Sequence, residues 1–171
     1  MKAAKHRSAG FTLIELVVVI SILAILAAFA LPRFAELSDE AHAASIQGTS
    51  GAMAAAVALT RAQWTANGAS GAVTDLEGYG AENIDMSDDG WPTGVAGNTD
   101  DTAMTAAECQ ALWQQLMQSN APSVSTTAGT DDYTASVVGG SCQYAYNLVT
   151  SSANDITYNP TTGDVTTTIN I

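Results

Sequence analysis

Basic residues are scarce in this chain, and most of them lie at its start. Five of the 171 residues are Lys or Arg, and Lys2, Lys5 and Arg7 fall within the first ten positions. All 17 Asp and Glu residues come later, where only Arg33 and Arg61 oppose them. Because binding to a phosphate backbone depends on neutralisation by Lys and Arg, the sequence predicts no nucleic-acid partner for this acidic body.

Cysteine is rare as well, with Cys109 and Cys142 as the two examples. A structural zinc site takes four ligands, and neither cysteine has a histidine or another cysteine nearby in the chain. An even number of cysteines in an exported domain favours a disulfide, with two buried thiols as the alternative.

The sequence also lacks the patterns that carry catalysis. The two histidines are His6, in the basic start, and His42, which we expect to be a solvated helical residue. No G-x-S-x-G, P-loop, H-E-x-x-H or dinucleotide-binding motif is present. We therefore predict no enzyme, no catalytic residue, no metal and no cofactor.

A long apolar run follows the basic start. Phe11–Leu31 contains 21 residues, which span roughly 30 Å as a helix and match the thickness of a bilayer core. From Leu16 to Leu31 only Ser21 is polar. The preceding basic residues place the N-terminus in the cytoplasm by the positive-inside rule.

A conventional secretory signal is the alternative interpretation of this run. Ala28-Phe29-Ala30 fits an A-x-A cleavage site, and cleavage there would release a soluble secreted binding domain beginning at Leu31. Two features argue against it, since Glu15 would lie in the apolar region and Pro32 would closely follow the cut.

Glu15 is the unusual residue of the apolar entry. A carboxylate within a membrane helix costs about 2.5–3.5 kcal/mol at the centre and less near the interface, so it is by default functional and paired. If the chain is cut before Phe11, the new amino group lies one helical turn away, or comes from a neighbouring copy. An interfacial, snorkelling Glu is the other interpretation.

The combination of a basic leader, Gly10, Phe11-Thr12-Leu13-Ile14-Glu15 and an apolar helix resembles the class III signal of type IV pilins and type II secretion pseudopilins. The resemblance implies that a prepilin peptidase cuts between Gly10 and Phe11 and N-methylates Phe11. It implies that Glu15 pairs with the Phe11 amine of an adjacent subunit, and that the helix kinks or unwinds at Pro32 in the filament.

The resemblance further implies a structural subunit of a type IV pilus, which serves adhesion or motility as a polymer of identical copies. Its partners are then the prepilin peptidase and the inner-membrane assembly machinery. It is held in the inner membrane as a precursor and displayed outside the cell as a filament. A type II secretion pseudopilin is the alternative, although major pseudopilins usually lack a cysteine pair and carry calcium.

The body of the chain is similar to pilins of the mannose-sensitive haemagglutinin type. The segments that carry this similarity are Leu31-Pro32-Arg33-Phe34, Gly90-Trp91-Pro92, Cys109-Gln110-Ala111-Leu112-Trp113, and Cys142 with Tyr144, Tyr146 and the Thr-Gly-Asp-Val turn near the C-terminus.

The predicted fold class is α+β, with a long N-terminal helix, membrane-spanning in its first half, packed on a C-terminal antiparallel sheet. We expect a leader at 1–10, a transmembrane and filament-core helix at 11–34, and a globular pilin domain at 35–171. Within the domain we expect helix at 35–66, loop at 67–104, a short helix at 105–118 and a sheet at 133–171. Thr105 and Glu108 fit a capping box, and Gly139-Gly140 fits the turn of a hairpin.

The loop at 67–104 is rich in Asp and Asn, which raises the question of calcium. The candidates are Asp85, Asp88, Asp89, Asn98, Asp100 and Asp101. They lack EF-hand spacing, and solvated turn carboxylates are the favoured interpretation. We expect Trp91 to anchor this loop on the domain.

Overall fold

A computed structural model of the chain describes residues 11–117, 119–149 and 153–171. These residues form two compact units, one ending at Glu40 and one spanning Ala41–Ile171. The elements along the chain are α1 (Leu13–Ala66), β1 (Asp85–Met86), β2 (Pro92–Gly94), α2 (Ala106–Leu116), β3 (Val124–Ser125), β4 (Tyr133–Val138), β5 (Ser141–Tyr146), β6 (Asp155–Tyr158) and β7 (Val165–Thr168). The predicted α+β class, with a long helix and a C-terminal sheet, is confirmed.

Within the second unit, one face of α1 covers the sheet. Ile46, Met53 and Val57 recur at helical spacing and are almost completely buried in the same core as the sheet residues. The Thr167 hydroxyl on β7 donates a hydrogen bond of 2.6 Å to the Ser50 hydroxyl on this face. Packing of an amphipathic face, rather than intrinsic propensity, therefore stabilises this part of the helix.

The main sheet has the order β3-β4-β5-β6-β7. The predicted hairpin is confirmed as β4 and β5, joined by Gly139 and Gly140, which both adopt the positive φ that such a turn requires. Along β5 the buried side chains are Cys142, Tyr144 and Tyr146, whereas Leu148 lies beyond the strand and is 58% exposed.

The sheet is mixed rather than purely antiparallel, which corrects the prediction. Strand β3 pairs in parallel with β4, with Val124 opposite Tyr133. A strand of two residues has no period that a sequence pattern could show, and it forms because its neighbour offers a free edge.

Helix α2 begins with the predicted capping box. The Thr105 hydroxyl accepts from the Glu108 N–H at 3.3 Å, and the Glu108 carboxylate accepts from the Thr105 N–H at 2.7 Å. This start directs Cys109 inward, where it forms a disulfide with Cys142 on β5 across a Cα–Cα distance of 5.5 Å. A link that closes a loop of 33 residues stabilises the fold by about 3–4 kcal/mol in the chain-entropy treatment.

Trp91 anchors the acidic loop, as predicted. The Arg61 guanidinium carbon lies 3.8 Å from the centroid of the Trp91 ring, and Gly163 lies against the same side chain. The next residue is held as well, because the Tyr158 hydroxyl donates a hydrogen bond of 2.7 Å to the Pro92 carbonyl. The loop is thereby attached to both α1 and the sheet.

His42 is not the solvated residue that its isolation in the sequence suggested. Its Nδ1 lies 2.8 Å from the Tyr146 hydroxyl, and the two rings meet edge to face. The partner lies 104 residues away in the chain, so no local pattern could reveal it.

Replacing Gly163 tests the Trp91 anchor. Gly163 has a φ of 76°, and a Cβ there would overlap the Trp91 ring. Gly129 is a matched control, because its φ is 74° and a Cβ there would meet nothing within 4 Å. We expect Gly129→Ala to cost about 1–2 kcal/mol from backbone strain alone, and Gly163→Ala to cost about 1–3 kcal/mol more from the overlap. Urea unfolding of detergent-solubilised protein measures both, and equal losses would contradict the anchor.

Candidate functional site

The N-terminal part of α1 exposes a continuous apolar surface. Phe11 is 86% exposed, Leu13 is 79% exposed and Phe29 is 77% exposed. The other large apolar residues exposed in this stretch are Ile14, Leu16, Val17, Val18, Val19, Ile20, Ile22, Leu23, Ile25, Leu26, Leu31, Phe34 and Leu37. Helix α1 is long and apolar enough to cross a bilayer. A cleaved signal sequence meets the same criteria, so the surface establishes only that the described residues leave this stretch uncovered.

Glu15 closes a capping box at the start of α1. The Thr12 N–H donates to Glu15 Oε2 at 2.8 Å, and the Thr12 hydroxyl donates to the same oxygen at 2.7 Å. The Glu15 N–H donates back to the Thr12 hydroxyl at 3.3 Å. This reciprocal pair satisfies backbone donors that the first helical turn would otherwise leave free.

The capping box leaves one oxygen of the Glu15 carboxylate available to a further donor. Both hydrogen bonds from Thr12 end on Oε2, and within the described part of the chain Oε1 accepts none. A carboxylate at a helix start is also favoured by the helix dipole. Glu15 can therefore accept a further donor or a cation while it continues to cap the helix. The spacing T-x-x-E, which predicts the capping box at Thr105, is also present at Thr12.

Of the other residues predicted at this site, the structure describes Phe11 and Pro32. Gly10 and the basic leader residues lie outside the described residues. Phe11 precedes the helix and is exposed. Pro32 lies inside α1, which continues on both sides of it, although proline removes one helical hydrogen bond. Unwinding at Pro32 in a filament stays a prediction.

The acidic residues of the loop hold the backbone. Asp85 is completely buried, and its carboxylate accepts from the Asp75 N–H at 3.2 Å and the Gly97 N–H at 2.6 Å. Asp100 accepts from Thr102, whose side chain and then backbone N–H hold the pKa of that carboxyl below its usual value. Among the described residues, no group of three or more His, Cys, Asp or Glu is placed to hold a metal ion.

Comparison with known proteins bears on the start of the chain. Residues 5–31 match the family model of the prokaryotic N-terminal methylation motif. The start of the chain therefore carries a prepilin signal of the kind found in type IV pilins.

A relative extends the comparison. The type IV narrow pilus major component PilA5 of Thermus thermophilus is 47% identical over 57 residues, which are 33% of the pilin-like chain and 49% of the relative. The chain thus spans about half the length of this curated relative. No solved structure matches the chain, and the similarity of its body to mannose-sensitive haemagglutinin-type pilins stays a prediction.

The Thr12 cap is open to a direct test. Thr12→Val removes the hydroxyl that both donates to Glu15 and accepts from it, so the first turn of α1 should fray. We expect the amide protons of the first helical turn to exchange several-fold faster in detergent micelles, while Thr12→Ser retains wild-type rates. Hydrogen exchange followed by NMR or mass spectrometry measures these rates. Unchanged rates in Thr12→Val would contradict the capping role.

Proposed function

We propose that this chain is the structural subunit of a type IV pilus filament, cut between Gly10 and Phe11 by a prepilin peptidase and polymerised through α1. The observation that carries the proposal is the exposed, uncharged helical segment from Leu16 to Leu31, which lies within the stretch that matches the methylation motif. Lipid covers this surface in the precursor. In the filament the helices of other copies replace the lipid, so the same residues serve as membrane anchor and filament core.

Cleavage supplies a cationic partner for the Glu15 carboxylate. The cut creates an amino group on Phe11, and N-methylation retains its positive charge. In an apolar filament core an unpaired carboxylate is costly, whereas a carboxylate paired with an amine is compensated. Since Oε2 is occupied by Thr12, Oε1 is the oxygen that receives the Phe11 amine of an adjacent subunit.

The proposed processing and assembly imply which proteins act on the chain and where it is located in the cell. The basic leader stays in the cytoplasm, where the peptidase and the inner-membrane assembly machinery act on it, and the globular unit faces outward. The assembled filament is displayed on the cell surface for adhesion or motility. The disulfide between Cys109 and Cys142 agrees with an oxidising compartment, and it favours a pilin over a type II secretion pseudopilin.

N-terminal sequencing with an intact mass, on protein from its native cell, tests the processing. We expect a chain that begins with methylated Phe11 and is two hydrogens lighter than its fully reduced form. A chain beginning at Leu31 would contradict the proposal, because it would lack α1's apolar segment, and it would indicate a secreted soluble domain instead.

The pairing role of Glu15 can be separated from its capping role. Glu15→Ala removes both, whereas Thr12→Val removes only the cap. We expect Glu15→Ala to lower filament yield at least about tenfold, because it leaves the Phe11 amine unpaired in the core, while cleavage proceeds. Thr12→Val should retain more filament than Glu15→Ala, and Glu36→Ala, at an exposed site on the same helix, serves as the control. Filaments counted by electron microscopy give the result, and a normal yield from Glu15→Ala would contradict the pairing.

A further inference from the structure

The unit Ala41–Ile171 carries an open groove between α1 and the segment at the end of α2. Its volume is about 590 Å³, and it is lined on one side by α1 and on the other by residues that include Tyr79, Leu116, Met117 and Pro122. None of its 14 lining residues is charged. The unit as a whole contains 13 Asp and Glu and a single Lys or Arg, Arg61, so the groove is an uncharged patch on an acidic body.

The floor of the groove is made of small residues. Ala44, Gly48 and Ala52 follow one another at intervals of four along α1, and all three are exposed. A Cβ at Gly48 would meet nothing within 4 Å, so packing inside the subunit does not require glycine there. Glycine costs about 1 kcal/mol relative to alanine in a helix. Small residues at this spacing permit the close approach of a second helix.

Lipid does not suit this groove. Glu36, Asp39 and Glu40 precede it on α1, and carboxylates are excluded from the hydrocarbon core. The groove therefore lies on the aqueous side of these residues in the membrane-bound precursor, where lipid tails do not reach it.

A second copy of the chain provides a complementary surface. Its α1 exposes large apolar side chains from Leu13 onward, and the stretch from Leu16 to Leu31 carries no charge. Two copies with such acidic bodies repel each other wherever their carboxylates face. Contact between the uncharged groove and the uncharged helix avoids this repulsion and buries apolar area on both sides.

We propose that this groove, named here the Gly48 groove, receives apolar side chains from the N-terminal helix of a second copy. The inference rests on the proposed filament function and adds to it the surface of the globular unit that accepts the neighbour. It assigns a role to Gly48 that the isolated subunit does not explain.

Filling the groove tests the assignment with a matched control. Gly48→Leu and Ala52→Leu place a large side chain on the groove floor, whereas Gly51→Leu adds the same group at an exposed position with equally open space that does not line the groove. We expect the first two variants to lower filament yield at least about tenfold. Gly51→Leu should stay within about twofold of wild type. All three should retain the disulfide. The unfolding midpoint should rise slightly in the two glycine variants and stay close to wild type in Ala52→Leu, since leucine is favoured over glycine in a helix and is close to alanine.

A photo-crosslinking amino acid at Leu59, which also lines the groove, identifies the occupant. Cross-links in wild-type filaments to residues 11–37 of a second copy would support the proposal. Cross-links to the Ala41–Ile171 unit of a second copy, to lipid or to a different protein would overturn it, as would normal filaments from both groove variants. These results leave the proposed function standing, whereas a wild-type chain that forms no filament would overturn that function and this inference together.

Discussion

The apolar surface at the start of α1 sets the constraint on which the rest of the structure depends. About twenty residues of helix present large hydrophobic side chains that nothing in the described chain covers. Such a surface is not stable in water, because each exposed apolar side chain forgoes about 1.5–3 kcal/mol of burial free energy. In the proposed function, lipid covers this surface in the precursor, and a filament core satisfies the same demand.

The globular unit buries one face of α1 and leaves another open. The sheet and α2 bury one face of the helix through Ile46, Met53 and Val57, and leave the face with Gly48 and Ala52 open. The disulfide and the Arg61–Trp91 contact tie the covering elements together. In the proposed filament, this rigid cover keeps the Gly48 groove a defined surface.

Electrostatics limits where copies can meet. Arg61 is engaged by Trp91 and by the Asp89 carbonyl, and Arg33 lies beside Glu36 at 3.2 Å. With so few cations against 17 carboxylates, charge pairing between subunits cannot be extensive. In the proposed filament, the pairing at Glu15 and contacts between uncharged surfaces therefore carry most of the association.

The sequence by itself determined the features that are contiguous in the chain. The prepilin signal, the apolar helix, the Thr105 capping box and the β4–β5 hairpin each depend on residues a few positions apart, so periodicity and turn chemistry predict them. Only the tertiary structure decided the features that join distant segments. Cys109 and Cys142 meet across 33 residues, His42 reaches Tyr146 across 104, and β3 forms only because β4 offers an edge. The Gly48 groove likewise requires α1, Tyr79 and the end of α2 to come together, since a cavity is a property of packing and has no local pattern.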